Sequence, residues 1–346
     1  MSKNIVLCLD GTGNQLKARG NTNVLLLYEM LDLAEPARQV AYYDPGVGTF
    51  SAAGAWTPWG RRISRLTGLA FGTGIRTNLG EAYAFLMRSY EPGDRVYVFG
   101  FSRGAYTARA LAGMLRVLGL LRAGLENLVP YAVATYSRNK DYSDDDWLLL
   151  HRFSDVFARS SQDEHPFTLC YMGLWDSVKA AGILRWGDLH WPHTRQLQNV
   201  QRIRHAVSID EKRRPYREYL VSKPHPDLEE VWFAGVHSDV GGTFEDDPRL
   251  PQISLKWIVD GALAAGLLLR PDGYAQCRSV TPDHALGHVH RMGWVWAMLT
   301  YRQRKVPPHA VCHDSVLRRV ESIPDYAAKI PSDVTWADSD WVQAAV

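Results

Sequence analysis

The sequence predicts an α/β fold: a mostly parallel sheet flanked by helices and carrying lid-like insertions. Three observations support it. Apolar runs of strand length recur at wide spacing, helical patterns stepping by three and four residues lie between them, and a Gly-x-Ser-x-Gly turn joins one such run directly to one such helix.

The first run, residues 5–9, passes into Asp10-Gly11-Thr12-Gly13-Asn14, a strand followed by a glycine-rich turn. A second run covers 40–43. Ile75, Leu79, Ala82, Tyr83 and Leu86 then share one helical face, and Pro92-Gly93-Asp94 turns the chain into a strand over 95–99. Ala108, Leu111, Leu115 and Leu118 form the next helical face. Further strands are expected at 167–174 and 231–236, with a helix beginning near Pro251. Beyond Thr281 the chain has little usable periodicity.

The 346 residues are 46% hydrophobic and 22% charged, a globular composition. Lys and Arg total 39 against 37 Asp and Glu, so no bulk charge marks a nucleic-acid binder, and none is expected as a partner. Cys8, Cys170, Cys277 and Cys312 are widely separated, which argues against a disulfide framework or a zinc ribbon. No apolar stretch approaches the roughly 20 residues that cross a bilayer. The first residues lack a signal-peptide core, so the expected location on these residues is the cytoplasm. The absence of repeats and long linkers suits a single domain over 1–346. The tryptophan-bearing segments 51–67 and 185–217 are its candidate lids.

The strand at 95–99 runs into Gly100-Phe101-Ser102-Arg103-Gly104 and then straight into a helix, the arrangement of a nucleophile elbow. Small residues are needed at both flanks because the strand, turn and helix approach closely there. The alternative is a plain turn with Ser102 capping the helix. In an α/β-hydrolase-like sheet the acid and then the base follow the nucleophile, each from a loop beyond the carboxyl end of a later strand. Asp176 follows one strand and His237 another. The rivals are Asp239 for the acid and His313 for the base. The N–H of Arg103, at the helix start, is one expected oxyanion donor, and Gly11 or Thr12 in the first loop supplies the second. A plain Asp10 turn is the alternative for that loop. His284, His288 and His290 have partly helical spacing, but Gly287 interrupts it and no metal is expected.

Asp10-Gly11-Thr12-Gly13-Asn14, YYDPGVGT at 42–49, GFSRGAYTAR at 100–109, GLWDSV at 173–178 and WFAGVHSDVGG at 232–242 resemble the successive motifs of the DUF2235 family. That family includes the catalytic domain of the Tle1-type phospholipase effectors of type VI secretion. The resemblance implies an α/β-hydrolase fold and a triad of Ser102, Asp176 and His237, with phospholipase A activity on glycerophospholipids.

The expected activity is therefore hydrolysis of carboxylic esters, lipid or phospholipid esters foremost, through an acyl-enzyme on Ser102 and without a cofactor. A lipid or ester substrate and peripheral membrane contact are the expected partners. A small-acyl esterase or thioesterase is the alternative, as is a silent binding module whose Lys212-Arg213-Arg214 run meets an anionic partner.

Overall fold

The computed structural model describes residues 2–11, 16–46, 69–138, 141–159, 167–179, 191–222, 224–290 and 301–343. In chain order its strands and helices are β1 (Asn4–Leu9), α1 (Asn23–Met30), β2 (Gln39–Asp44), α2 (Leu69–Ser89), β3 (Arg95–Phe101), α3 (Arg103–Leu118), α4 (Val129–Tyr136), α5 (Asp144–Phe157), β4 (Leu169–Trp175), β5 (Val200–Ser208), β6 (Leu228–Phe233), α6 (His237–Gly241), α7 (Arg249–Ala264), α8 (Pro271–Cys277), β7 (Val311–His313), α9 (Asp314–Ser322) and β8 (Thr335–Ala337).

The eight strands among the described residues form one sheet in the order β2-β1-β3-β4-β5-β6-β7-β8, and every neighbouring pair is parallel. Successive side chains of a strand point to opposite faces, and both faces here are covered. Ile5, Leu7 and Leu9 of β1 join Leu79 and Tyr83 of α2 and Leu111 and Leu115 of α3 in one core. Val6 and Cys8 join Leu27 of α1 and Trp257 and Ile258 of α7 in the other. Double burial is why these strands read as unbroken apolar runs. Local signals set the helix starts: the Thr22 hydroxyl accepts the Leu25 N–H at α1, and Ser143 and Asp146 form a reciprocal capping box at α5. Among the described residues no helix is long and apolar enough to cross a membrane.

Because β2 and β3 flank β1 on opposite sides, the winding reverses at β1, and in open α/β sheets ligands bind beyond the carboxyl ends of the strands at such a reversal. Ser102 is the residue after β3.

The structure departs from the sequence expectation at β5. Residues 185–217 were expected to form a lid, yet Val200–Ser208 lies inside the sheet between β4 and β6. Trp191 is buried against Tyr106 and Tyr136. Arg202, Arg204 and His205 disguise the strand in sequence. In the fold β6 neutralises two of them by register: Arg204 lies opposite Glu229 and His205 opposite Glu230, with contacts of 3.1 and 2.9 Å. The same two glutamates hide the start of β6, which begins at Leu228 rather than 231. The short strands β7 and β8 fall in the stretch without periodicity. Residues 51–67 and 185–190 lie outside the described residues.

Candidate active site

Ser102 sits on the sharp turn between β3 and α3 with φ of 60° and ψ of −120°, a backbone region that non-glycine residues seldom occupy. Its surroundings hold it there: the Ser102 N–H donates to the Trp175 carbonyl at 3.0 Å, and the Val178 N–H donates to the Ser102 carbonyl at 3.4 Å. The flanking glycines are required by close approach. A Cβ on Gly104 would lie 2.1 Å from the Leu9 carbonyl oxygen, and one on Gly100 would lie 2.7 Å from the backbone of Ala105. These contacts let α3 start tight against the sheet, with the Ser102 side chain above it.

Asp176 follows β4, is fully buried, and also has a positive φ, 41°. Its N–H donates to the Ala206 carbonyl at 2.7 Å, which ties the turn to β5. His237 begins α6, where its N–H donates to Oε2 of Glu211 at 3.2 Å. Residues from three strand ends thus converge. The His237 ring has Nδ1 2.5 Å from Oδ2 of Asp176 and Nε2 2.8 Å from Oγ of Ser102. It stacks on Phe101 at 4.6 Å and meets the Tyr216 ring edge-on at 4.8 Å.

The electrostatics fix the direction of these bonds. Burial by itself would raise the Asp176 carboxyl, but the Arg304 guanidinium and the His237 hydrogen bond hold it well below the usual carboxylate range. An ionised Asp176 only accepts, so Nδ1 of His237 carries the proton and Nε2 accepts from the Ser102 hydroxyl. Burial lowers His237 against the opposing pull of Asp176, which keeps the ring neutral near pH 7. This arrangement can take a proton from Ser102 Oγ and hold it at Nε2.

Sequence reasoning missed the support around Asp176. Arg304 reaches it with Nη1 at 2.6 Å from Oδ1 and Nη2 at 3.1 Å from Oδ2. Ser208, at the end of β5, donates its N–H to Oδ1 at 2.9 Å and its hydroxyl to Oδ2 at 3.2 Å. Nη1 of Arg304 also donates to the Ser208 carbonyl at 3.0 Å, and Nη2 to the Tyr216 carbonyl. Recognising β5 would have exposed Ser208 as a strand-end residue. Arg304 carries no local sequence signal. Glu211 is held by Arg213, whose Nη2 lies 2.8 Å from Oε2.

The two rivals lie in other networks. Asp239 accepts the Val236 N–H at 2.9 Å and contacts Nδ1 of His290 at 2.5 Å, bracing the loop that bears His237. His313 is buried against Phe233, with Nδ1 facing the Ser315 hydroxyl at 2.8 Å and Nε2 facing Asp338 at 3.1 Å.

The Gly11 N–H, one of the expected oxyanion donors, has an acceptor within its own loop. The Gly11 N–H donates to Oδ1 of Asp10 at 2.6 Å, while Oδ2 accepts from Thr22 at 2.5 Å and from Tyr43 at 2.8 Å. Buried Asp10 thus accepts from Gly11 in the loop, from Thr22 at the start of α1 and from Tyr43 of β2. Thr12 lies outside the described residues. Arg103 is the first residue of α3, at the positive end of the helix dipole. Among the described residues no group of three or more His, Cys, Asp or Glu side chains is arranged to hold a metal ion.

A family model described as the catalytic domain of the T6SS phospholipase effector Tle1-like proteins matches residues 3–261. An uncharacterized protein of Saccharomyces cerevisiae, YEL023C, is 37% identical over 230 residues, covering 65% of this chain and 33% of that protein. A crystal structure of an uncharacterized protein from Pseudomonas aeruginosa is similar at 19% identity and a TM-score of 0.46, covering 82% of this chain and 50% of that one. The Tle1 effector bound to the VgrG spike of the type 6 secretion system is similar at 18% identity and a TM-score of 0.37, covering 70% and 51%. The chain spans a third of the length of the yeast relative and about half of each of the two solved chains.

Proposed function

Because this chain belongs to the family of Tle1-like phospholipase effector catalytic domains, we propose that it is a serine hydrolase of carboxylic esters acting on phospholipids in the manner of a phospholipase A. One observation carries the reading: the continuous hydrogen-bonded series Ser102, His237, Asp176 at the carboxyl edge of a parallel sheet. Export by a specialised secretion system belongs to the same reading and rests on the family alone.

In this mechanism Ser102 Oγ attacks the ester carbonyl as its proton passes to His237 Nε2, and Asp176 stabilises the imidazolium. The carbonyl oxygen takes up the negative charge and is bound by the Arg103 N–H, where the dipole of α3 adds to the stabilisation. Collapse expels the alcohol, which takes the proton from Nε2 and leaves an acyl-enzyme. Water then attacks the acyl carbon, gives its proton to Nε2, and the second collapse returns that proton to Ser102 with release of the acid. Phe101 and Tyr216 confine the ring during both transfers.

The test is hydrolysis of short and long p-nitrophenyl esters and of phospholipid vesicles by the parent protein and by Ser102→Ala, Asp176→Ala and His237→Ala, together with labelling by an organophosphonate. Loss of turnover in all three variants and labelling that disappears in Ser102→Ala are expected. Persistent hydrolysis in Ser102→Ala overturns the proposal. Activity confined to short soluble esters replaces the phospholipase with a small-acyl esterase.

A further inference from the structure

Two segments distant in sequence run side by side next to the Ser102 site. The Arg302 N–H donates to the Lys212 carbonyl at 2.7 Å and the Arg304 N–H to the Glu211 carbonyl at 3.2 Å, while Arg213 and Tyr301 form an antiparallel bridge. Both segments are anchored in the site, one by Arg304 on Asp176 and the other by Tyr216 against His237, with Arg213 lying 3.8 Å over the Tyr216 ring.

Residues 212–217 and 301–305 include seven Lys and Arg and no Asp or Glu, in a chain whose formal net charge is +2. Two of the seven serve inside the protein: Arg213 pairs with Glu211 and Arg304 with Asp176. Arg214, Arg217, Arg302 and Lys305 are exposed and Lys212 is half-buried. Among the described residues none of these five has a carboxylate partner within ion-pair distance. Tyr301 stands among them at 57% exposure. The packing of the two segments thus makes a strip of cations that neither segment would form alone.

We propose that this strip is the face by which the protein docks on an anionic phospholipid bilayer, presenting the Ser102 site to the lipid. The choice of a bilayer rests on the ester-hydrolase reading, since the strip adjoins the residues proposed to act on lipid. An anionic leaflet attracts clustered Lys and Arg, salt screens that attraction, and an exposed tyrosine ring suits the headgroup layer. An ordinary solvated surface is the competing explanation of a basic run. It predicts no preference for anionic lipid.

The experiment is co-sedimentation of the Ser102→Ala protein with phosphatidylcholine vesicles lacking or containing phosphatidylglycerol, at low and raised salt. Binding is expected only with phosphatidylglycerol and is weakened by salt. Neutralising Arg214, Arg217, Arg302 and Lys305 together to Gln is expected to weaken it by roughly 600-fold, at roughly five-fold per charge. Lys at the three arginine positions is expected to retain binding. The four side chains are exposed, and a thermal melt checks that each variant is folded. Undiminished binding by the folded Gln variant, or equal binding to both vesicle types, overturns the proposal. Binding to poly-glutamate without binding to phosphatidylglycerol vesicles overturns it in favour of an acidic protein partner. Turnover of p-nitrophenyl esters and of phospholipid dispersed in neutral detergent, neither of which needs docking on a bilayer, is read separately with the parent. Binding without turnover sinks the hydrolase reading and leaves the docking face standing, whereas turnover without binding does the reverse.

Discussion

Arg304 grips both carboxylate oxygens of Asp176, at 2.6 and 3.1 Å, across 128 residues of sequence. Both side chains are almost entirely withdrawn from water. This pair sets the charge of the carboxylate that His237 contacts, and in the proposed mechanism Arg304 is a positioning residue. Replacing it by Leu leaves a buried carboxylate without its cation, for which the expected destabilisation is about 3–5 kcal/mol. The remaining folded protein should need a higher pH for activity, because Asp176 would ionise less readily. Arg304→Lys keeps the charge, loses the fork, and should recover most of the pH profile. Chemical denaturation and a kcat/KM profile for each variant check these outcomes. An unchanged profile in Arg304→Leu would show that the arginine only supports the fold.

Asp176→Asn tests the tautomer. An amide in place of the carboxylate can donate to Nδ1 of His237, which would put the imidazole proton on Nε2, where it cannot accept from Ser102. The expected fall in kcat is on the order of 10⁴-fold. Steady-state hydrolysis of a soluble ester measures it, and a fall of only a few-fold would remove Asp176 from its proposed role.

The pH dependence follows from two shifts with one sign. Burial holds His237 below its ordinary 6.5, so the acid limb of kcat/KM should lie below pH 6.5. Asp176, depressed below its ordinary 3.8 by Arg304 and His237 despite its burial, adds stability that is present above pH 3.8 and lost as pH falls through its folded-state value. His237 acts the same way, since the unfolded chain binds its proton more readily. Stability should therefore decline on acidification through both ranges. Urea denaturation at a series of pH values checks the slope, and Asp176→Asn should flatten its acid end.

Gly104→Ala should fail by collision rather than chemistry. The added methyl would stand 2.1 Å from the Leu9 carbonyl oxygen and 2.5 Å from that of Asp10, both fixed backbone. A loss of about 1–3 kcal/mol or more is expected, with the elbow displaced from β1. Thermal unfolding together with organophosphonate labelling separates the two effects; wild-type stability and labelling would contradict the packing described here.

Much of the fold is legible because burial on both faces leaves apolar runs and because helices bury a repeating stripe, as at Ile5, Leu7 and Leu9 and at Leu79 and Tyr83. β5 is hidden because Arg202, Arg204 and His205 interrupt its apolar pattern, and their partners Asp227, Glu229 and Glu230 are brought beside them only by the pairing with β6. The sequence also does not reveal that the Gly11 N–H already has an acceptor in the adjacent Asp10 carboxylate.

The sequence alone determined the elbow, because the strand, the two glycines, Ser102 and the start of α3 are contiguous and their geometry is local. It also narrowed the acid and base to strand-end residues, leaving Asp239 and His313 open. Only the tertiary structure decided which of these meet Ser102, because strand order brings the ends of β3, β4 and β6 together while Asp239 and His313 find partners elsewhere. The same is true of Arg304 and of the cationic strip, which exist through contacts between distant segments whose side chains meet only after the sheet has formed.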